Sequence, residues 1–477
     1  QSAYGGASDI LLFSLAVFVP LALALRLLAG HWLHPGAMFA GYWAVAAAAP
    51  IAFYGRALDV SHRALLHIAV AVAVFGLGSL IFTERNPSID NSHLAARLAA
   101  GEEPDVQSRL LMWTVAVGTV SGFGAGLAAL AANGIPLDSV MSIDGLMSAG
   151  YEVSQSRYTN LLSKDYSSPT AHMVMRVLLA LTYCAALVAP FLALTKVRLK
   201  KLWMFAPLPS LVFYGVLTTE RAGMVFGIAL SLGGYIAMRT LRDGRLPRIG
   251  VRGVAIVAMI VLLVTPLFVG MAMLRLGKLN PAGLATVRNQ MNLYVFGYLP
   301  AFSGWLEQQQ APLGGDRPLG LGSATIAGMS LLTGQDREAF RYEEWVVIDD
   351  EGRVTNIYTI FRGLLIDFGQ VGGVLALFVL GALAGRTYST VIRRGSVIAT
   401  MGLAACYSVI LMSNTISLIH YSNVLGAMIL ATVVVGVALA SRSAVKLARP
   451  AHQLATAASR PPGVTLRTST DTQARAT

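Results

Sequence analysis

The sequence predicts an all-α polytopic membrane protein, and three observations support this. Hydrophobic residues make up 55% of the 477 residues, and only 13% are charged, whereas a soluble globular chain carries about 25% charged residues. The mean hydropathy is +0.63. Apolar runs near the ~20 residues needed to cross a bilayer core recur through the chain. A soluble globular domain is therefore excluded.

Eleven apolar segments predict about eleven transmembrane helices. They cover residues 8–29, 36–55, 64–82, 109–133, 172–195, 202–219, 222–239, 254–273, 364–386, 396–414 and 423–441. Together they predict one transmembrane domain over residues 1–449. The remaining residues, 450–477, are rich in Ala, Ser, Thr and Pro and predict a disordered cytoplasmic tail.

Basic residues predict the orientation of these helices. If these eleven segments all cross the membrane, four basic clusters lie on the same side of it: Lys196 to Lys201, Arg239 to Arg252, Arg386 to Arg394, and Arg442 to Arg449. Lys and Arg in short loops mark the cytoplasmic side, so we expect a multi-pass protein with these clusters in the cytoplasm. The net charge of +12 then reflects topology and lipid contact rather than nucleic-acid binding. Arg56 and Arg63 would face outward, which leaves the N-terminal topology open.

The opposite, extracytoplasmic face carries the longest polar insertion, residues 274–357. Loops of this length are uncommon and usually functional. Its aromatic residues predict short helices lying on the bilayer surface: Tyr294, Phe296, Tyr298, Phe302 and Trp305. The same face has a tight turn at Thr218–Arg221 and another at residues 414–423.

Arg362 and Asp367 follow this insertion, inside or at the lip of the next predicted span. An ionisable side chain in the hydrocarbon costs about 2.5–3.5 kcal/mol, so it normally faces a cavity and has a function. Tyr358 and Arg362 are i,i+4 and share a helix face. Asp367 is five residues from Arg362, so a close contact needs a helix break, for example at Gly363. Asp367 is either the counter-ion of Arg362 or a general base.

Other polar residues at this face are weaker candidates. Arg221 either caps helix carbonyls and reaches lipid headgroups, or binds a ligand phosphate with its planar guanidinium. Its neighbour Glu220 and the His420 imidazole could accept a proton. Loop arginines such as Arg157, Arg275 and Arg288 are mostly solvated. No His, Cys, Asp or Glu cluster has metal-ligand spacing, so we expect no metal and no cofactor.

One stretch resembles a known family. Thr355-Asn356-Ile357-Tyr358-Thr359, Arg362, Asp367-Phe368-Gly369 and Gly372 are similar to the signature of Wzy-type oligosaccharide repeat-unit polymerases. These enzymes act in O-antigen and exopolysaccharide pathways. A Gly-Ile-Pro-Leu motif at Gly134–Leu137 and the Glu-Arg-Ala turn at Glu220–Ala222 agree with this. The resemblance covers roughly residues 109–430.

The resemblance implies that the domain over residues 1–449 is catalytic and lies in a bacterial inner membrane. It would be a glycosyltransferase that polymerises undecaprenyl-diphosphate-linked repeat units at the periplasmic face, both donor and acceptor being lipid-linked. Arg221 and Arg362 would neutralise the departing diphosphate, and Asp367, Glu220 or His420 would deprotonate the acceptor. Further substrate-binding positions are Asn356, Tyr358, Thr359, Arg288, Tyr294 and Arg157. Partners would include membrane lipids and a chain-length co-polymerase. The alternatives are an O-antigen ligase and a lipid-glycan flippase; charges gathered near one face favour an enzyme over a flippase.

Overall fold

A computed structural model describes residues 7–54, 60–83, 108–163, 169–194, 203–243, 251–276, 280–308, 319–334, 345–348 and 352–438. These residues are almost entirely helical. The predicted tail, 450–477, and the basic residues of 196–201 and 442–449 lie outside the described residues. The orientation that they predict therefore remains a prediction.

The described α-helices follow one another in this order: α1 Ala7–Ala29, α2 Pro35–Tyr54, α3 His62–Ile81, α4 Ser108–Ala132, α5 Ile143–Ser163, α6 Pro169–Val188, α7 Pro207–Thr218, α8 Arg221–Asp243, α9 Val251–Leu276, α10 Pro281–Phe296, α11 Tyr298–Gln308, α12 Met329–Thr333, α13 Ile360–Arg394, α14 Val397–Met412 and α15 Ser422–Ala438. Short 3₁₀ turns cover Leu137–Met141, Ala189–Leu194, Trp203–Phe205 and Leu418–His420. The strands β1 (Val346–Val347) and β2 (Val354–Thr355) form a small antiparallel pair.

The all-α membrane class is confirmed. Within the described ranges, seven helices are long and apolar enough to cross a bilayer: α1, α2, α3, α4, α6, α8 and α13. The other four predicted spans coincide with shorter apolar helices: Trp203–Thr218, Val264–Leu276, Val397–Met412 and Ser422–Ala438. Every predicted span thus lies on an apolar helix, while the count of eleven crossings stays a prediction.

Helices α3 and α13 pack closely and run parallel. A Cβ on Gly381 would lie 2.1 Å from the Phe75 carbonyl oxygen, and one on Gly385 would lie 2.1 Å from that of Ser79. Only glycine allows the two backbones to approach this closely, as small residues do at many membrane helix interfaces.

Helix α11 packs inside the protein rather than lying on a bilayer surface, which corrects the prediction for its aromatic residues. Helix α10 is largely exposed, and its Tyr294 and Phe296 are half-buried. Tyr298, Phe302 and Trp305 are all buried. Burial raises the pKa of Tyr298, so its hydroxyl stays protonated, and it donates to the Ala46 carbonyl over 2.6 Å. The aromatic residues of α11 all fall on its inner side, and they fill the space beside α2 and α3.

Helix α13 is broken at Gly369, where φ is 68° and ψ is −172°. A side chain strains this backbone conformation, which explains the glycine. The Ile366 and Asp367 carbonyls accept hydrogen bonds from the Gly320 and Leu321 amides over 3.1 and 3.0 Å. The predicted span began at residue 364, but the helix begins at Ile360, and its break falls at Gly369 rather than Gly363.

The glycine-rich segment, residues 319–328, is held on its other side by the turn before α15. The Ala327 amide donates to the Ile419 carbonyl over 2.8 Å, and the Ser417 hydroxyl donates to the Thr325 carbonyl over 2.7 Å. The segment therefore bridges the break in α13 and residues 413–421. One end of the bundle carries these residues, the Thr218–Arg221 turn and helices α10 and α11. We call it the loop end.

Candidate functional site

Arg362 lies in the first turn of α13 and is only 2% exposed. Its Cζ atom lies 3.9 Å from the centre of the Tyr358 ring and 5.5 Å from the Trp305 ring. A guanidinium over an aromatic face is stabilised by the ring quadrupole, most strongly when water is excluded. The predicted proximity of Tyr358 and Arg362 is confirmed, although Tyr358 precedes the helix. Trp305 completes the contact from α11.

Arg221 begins α8 and is 8% exposed. Its Cζ atom lies 3.9 Å from the centre of the Tyr294 ring and 4.9 Å from the Phe268 ring. Within the described part of the chain, its buried Nη1 atom has no hydrogen-bond partner. Arg275 lies within electrostatic range and repels it. A buried donor beside a second cation is an arrangement that an anionic ligand would stabilise.

The turn before Arg221 fixes the position of the neighbouring carboxylate. Helix α7 ends at Thr218, and Thr219 adopts a left-handed conformation with φ of 52°. The next residue, Glu220, accepts a hydrogen bond from the Tyr214 hydroxyl over 2.6 Å. The tight turn expected at Thr218–Arg221 is therefore present, and Arg221 is covered by aromatic rings rather than extended toward a surface.

Asp367 holds the glycine-rich segment in place. Its side chain is fully buried, and Oδ1 accepts a hydrogen bond from the Ala324 amide over 2.8 Å. The Thr325 hydroxyl also lies near the carboxylate, but among the described residues neither it nor Oδ2 has a partner in good hydrogen-bond geometry. Among the described residues, Arg362 is not a side-chain partner of Asp367. This geometry gives Asp367 a structural role and does not pair it with Arg362, while its role as a general base stays a prediction.

His420 connects the surroundings of the two arginines. It is buried in the 3₁₀ turn Leu418–His420, one residue after the carbonyl that binds the glycine-rich segment. Its ring packs edge-on against Tyr421 with 5.5 Å between centroids, and Tyr421 contacts Phe226 of α8 at 4.7 Å. The turn thus lies between the break in α13 and the helix that Arg221 begins.

The remaining predicted residues are placed unevenly. Thr359 is fully buried and precedes α13, Asn356 is half-buried, and Tyr294 covers Arg221. Arg288 is exposed on α10, the helix that also carries Tyr294. Arg157 belongs to α5, but its side chain lies outside the described part.

Three contributors to the site were not predicted from the sequence as site residues: Phe268, Arg275 and Trp305. Arg275 had the appearance of a solvated loop cation, and Trp305 that of a residue at the bilayer surface. The signal that could have identified Trp305 is its place in the same amphipathic pair of helices as Tyr294. Helix α10 supplies Tyr294 to one arginine, and α11 supplies Trp305 to the other.

No group of three or more His, Cys, Asp or Glu residues with metal-binding geometry occurs in the described ranges. Comparison of the chain with protein-family models, with curated proteins and with solved structures gave no match.

Proposed function

We propose that this protein is a membrane glycosyltransferase that polymerises lipid-diphosphate-linked oligosaccharide repeat units at the extracytoplasmic face of a bacterial inner membrane. The observation that carries the proposal is the pair of buried arginines at the loop end. Arg221 and Arg362 come from distant parts of the chain, and each lies against an aromatic ring of α10 or α11. Fixed guanidinium groups in a water-poor site suit a leaving group that carries two phosphates.

The reaction is a displacement at the anomeric carbon of the donor sugar. The acceptor hydroxyl oxygen forms a bond to this carbon while the bond from the carbon to the diphosphate oxygen breaks. The lipid diphosphate leaves with the bonding electrons, and its added charge is neutralised by Arg221 and Arg362. The hydroxyl proton goes to a base, for which Glu220 and His420 remain the candidates after the placement of Asp367.

Between these two, Glu220 has the better defined orientation. Its Oε2 atom is fixed by the Tyr214 hydroxyl, and it adjoins Arg221 in the chain. A carboxylate beside the diphosphate-binding arginine would lie close to the reacting sugar. We therefore assign Glu220 as the general base and His420 as a residue that packs the turn between the two arginines.

Reconstitution of the purified protein in liposomes tests the proposal. With undecaprenyl-diphosphate-linked repeat units as the only substrate, the wild type should give a ladder of lengthening glycans that stay attached to lipid. Arg221→Ala should reduce the rate by about 10²–10³, the usual cost of removing one charge-stabilising donor. The matched control is Arg109→Ala, since Arg109 is exposed at the start of α4. It lies about 30 Å along that helix from Leu130, which packs near the loop end.

The alternatives give different products in the same assay. A ligase would transfer the glycan once to an added acceptor of another kind and would form no ladder. A flippase would move labelled lipid between leaflets without making a glycosidic bond. Either result from the wild type would refute the polymerase, whereas full activity of Arg221→Ala would refute the role of Arg221 at the diphosphate.

A further inference from the structure

Arg63 has no place in the site described above. It is exposed in the first turn of α3. The Ser61 amide, two residues earlier, donates to the Ser303 hydroxyl of α11 over 2.8 Å, which places Arg63 at the loop end. An arginine on the extracytoplasmic side runs against the positive-inside rule, so this cation has another reason to be there.

Beside Arg63 lies an open groove of about 460 Å³ between α3 and α13. Its polar lining residues are Arg63 and His67, one helical turn apart on α3, and Gln370, which directly follows the break in α13. Its other lining residues are apolar and include Val371 and Leu375, which are 75% and 59% exposed. The groove thus has a cationic end and an apolar side that opens outward.

The packing of the two helices explains why the groove is there. The parallel helices touch where glycines allow it, with Phe75 against Gly381 and Ser79 against Gly385. The lining residues all precede these contacts on both helices. The helices therefore separate toward the loop end, and the described residues leave the space between them unfilled.

We propose that this groove binds the hydrocarbon chain of a polyprenyl diphosphate lipid, with Arg63 at its diphosphate. The inference rests on the proposed function, for which it supplies the binding site of the lipid. A cation at one end of an apolar, bilayer-facing groove matches an anionic headgroup on a long apolar chain. Leu306 lines the groove, and the preceding residue, Trp305, contacts Arg362. The groove therefore adjoins the arginine site, which favours the substrate lipid over a bulk phospholipid.

Photo-crosslinking of the full chain in lipid nanodiscs tests this inference. The probe is geranylgeranyl diphosphate with a diazirine at the far end of its chain, and the labelled residues are identified by mass spectrometry. We expect labelling on the groove-lining stretches of α3 and α13, and competition by undecaprenyl diphosphate but not by phosphatidylglycerol. Labelling spread evenly along the outside of α13, or equal competition by phosphatidylglycerol, would overturn the inference.

Two matched variants sharpen the result. Val371→Trp fills the groove and should abolish labelling there, whereas Leu383→Trp should leave it unchanged, because Leu383 is 60% exposed on the same helix outside the groove. Both positions are exposed, so neither change disturbs the packed interior. Arg63→Gln should weaken labelling about tenfold, since one charge-assisted contact to phosphate is lost. Unchanged labelling in Val371→Trp or Arg63→Gln would contradict the site.

The crosslinking result is separable from the polymerase assay. Specific groove labelling by a wild-type protein that makes no glycan ladder would support the lipid site and refute the proposed function. A glycan ladder without groove labelling would refute the lipid site and leave the proposed function standing.

Discussion

The two buried arginines differ in how firmly their surroundings hold them. Around Arg362, both aromatic partners are themselves buried, Tyr358 being 1% and Trp305 5% exposed. Around Arg221, both partners, Phe268 and Tyr294, are only half-buried. The first guanidinium lies in the packed interior of the bundle, and the second lies at its edge.

This difference suggests a division of tasks in the proposed reaction. A cation fixed in a packed interior needs no rearrangement when charge develops, which is the condition for strong electrostatic stabilisation. A cation at the edge, with a buried donor atom lacking a partner within the described residues and with Arg275 nearby, is suited to receive an arriving anion. We therefore expect Arg362 to act mainly in the chemical step. Arg221 should act mainly in substrate binding and also in the chemical step.

The largest expected effect is that of Arg362→Met. Methionine fills much of the same volume but removes the charge, so we expect polymerisation to fall by about 10²–10³, with the melting temperature of the purified protein changed little. Arg362→Lys should also be impaired, because lysine keeps the charge but loses the planar fork of donors. The measurements are the rate of ladder formation and the thermal melting curve of each variant.

A purely structural Arg362 would behave differently. If its task were to pair with Asp367, then Arg362→Met would reduce the amount of folded protein, and the double change with Asp367→Asn would restore activity. Because the side-chain contacts of Asp367 in the described ranges go to the glycine-rich segment, we expect no rescue. Rescue by the double variant, or wild-type ladders from Arg362→Lys, would refute the diphosphate-binding role.

The next largest effect concerns Asp367, which belongs to the same helix as the better packed arginine. Asp367→Ala leaves the Ala324 amide without its acceptor, which costs about 1–3 kcal/mol for a buried donor. Asp367→Asn keeps a carbonyl oxygen at that position, so its melting temperature and polymerisation rate should stay near those of the wild type. A stable but inactive Asp367→Asn protein would instead identify Asp367 as the general base.

Asp367 also illustrates what the sequence could and could not predict. The apolar runs predicted where the helices lie, because membrane helices follow local composition. A helix break was named only as the condition for a close contact between Arg362 and Asp367, for example at Gly363, whereas the break lies at Gly369. The partner of Asp367 could not be predicted, because it depends on residues 319–328 folding onto the turn near Ile419. Trp305 was misplaced for a similar reason, since its burial depends on contacts with distant segments.

A smaller effect is expected from changing Tyr294, the aromatic partner of the edge arginine. Tyr294→Leu removes the ring above the Arg221 guanidinium, a contact worth about 0.5–2 kcal/mol. Because the ring positions Arg221 for an arriving substrate, we expect a rise of KM for the lipid-linked substrate of up to about tenfold, with kcat changed less. Tyr294→Phe keeps the ring and is the matched control. A large fall of kcat without a change of KM in Tyr294→Leu would show that the edge arginine acts in the chemical step alone.

The smallest expected effect is that of removing divalent metal ions. Enzymes that transfer groups from diphosphates must neutralise the leaving group, and they use either a metal ion or fixed cations for this. If Arg221 and Arg362 share this task, ladder formation by the wild type should continue at nearly the same rate in EDTA. The Arg221→Ala variant sharpens this test. If the enzyme depends on fixed cations, added Mg²⁺ should not restore the activity of the variant. Complete loss of wild-type activity in EDTA, restored only by Mg²⁺ or Mn²⁺, would show that a metal ion supplies the charge that we assign to the two arginines.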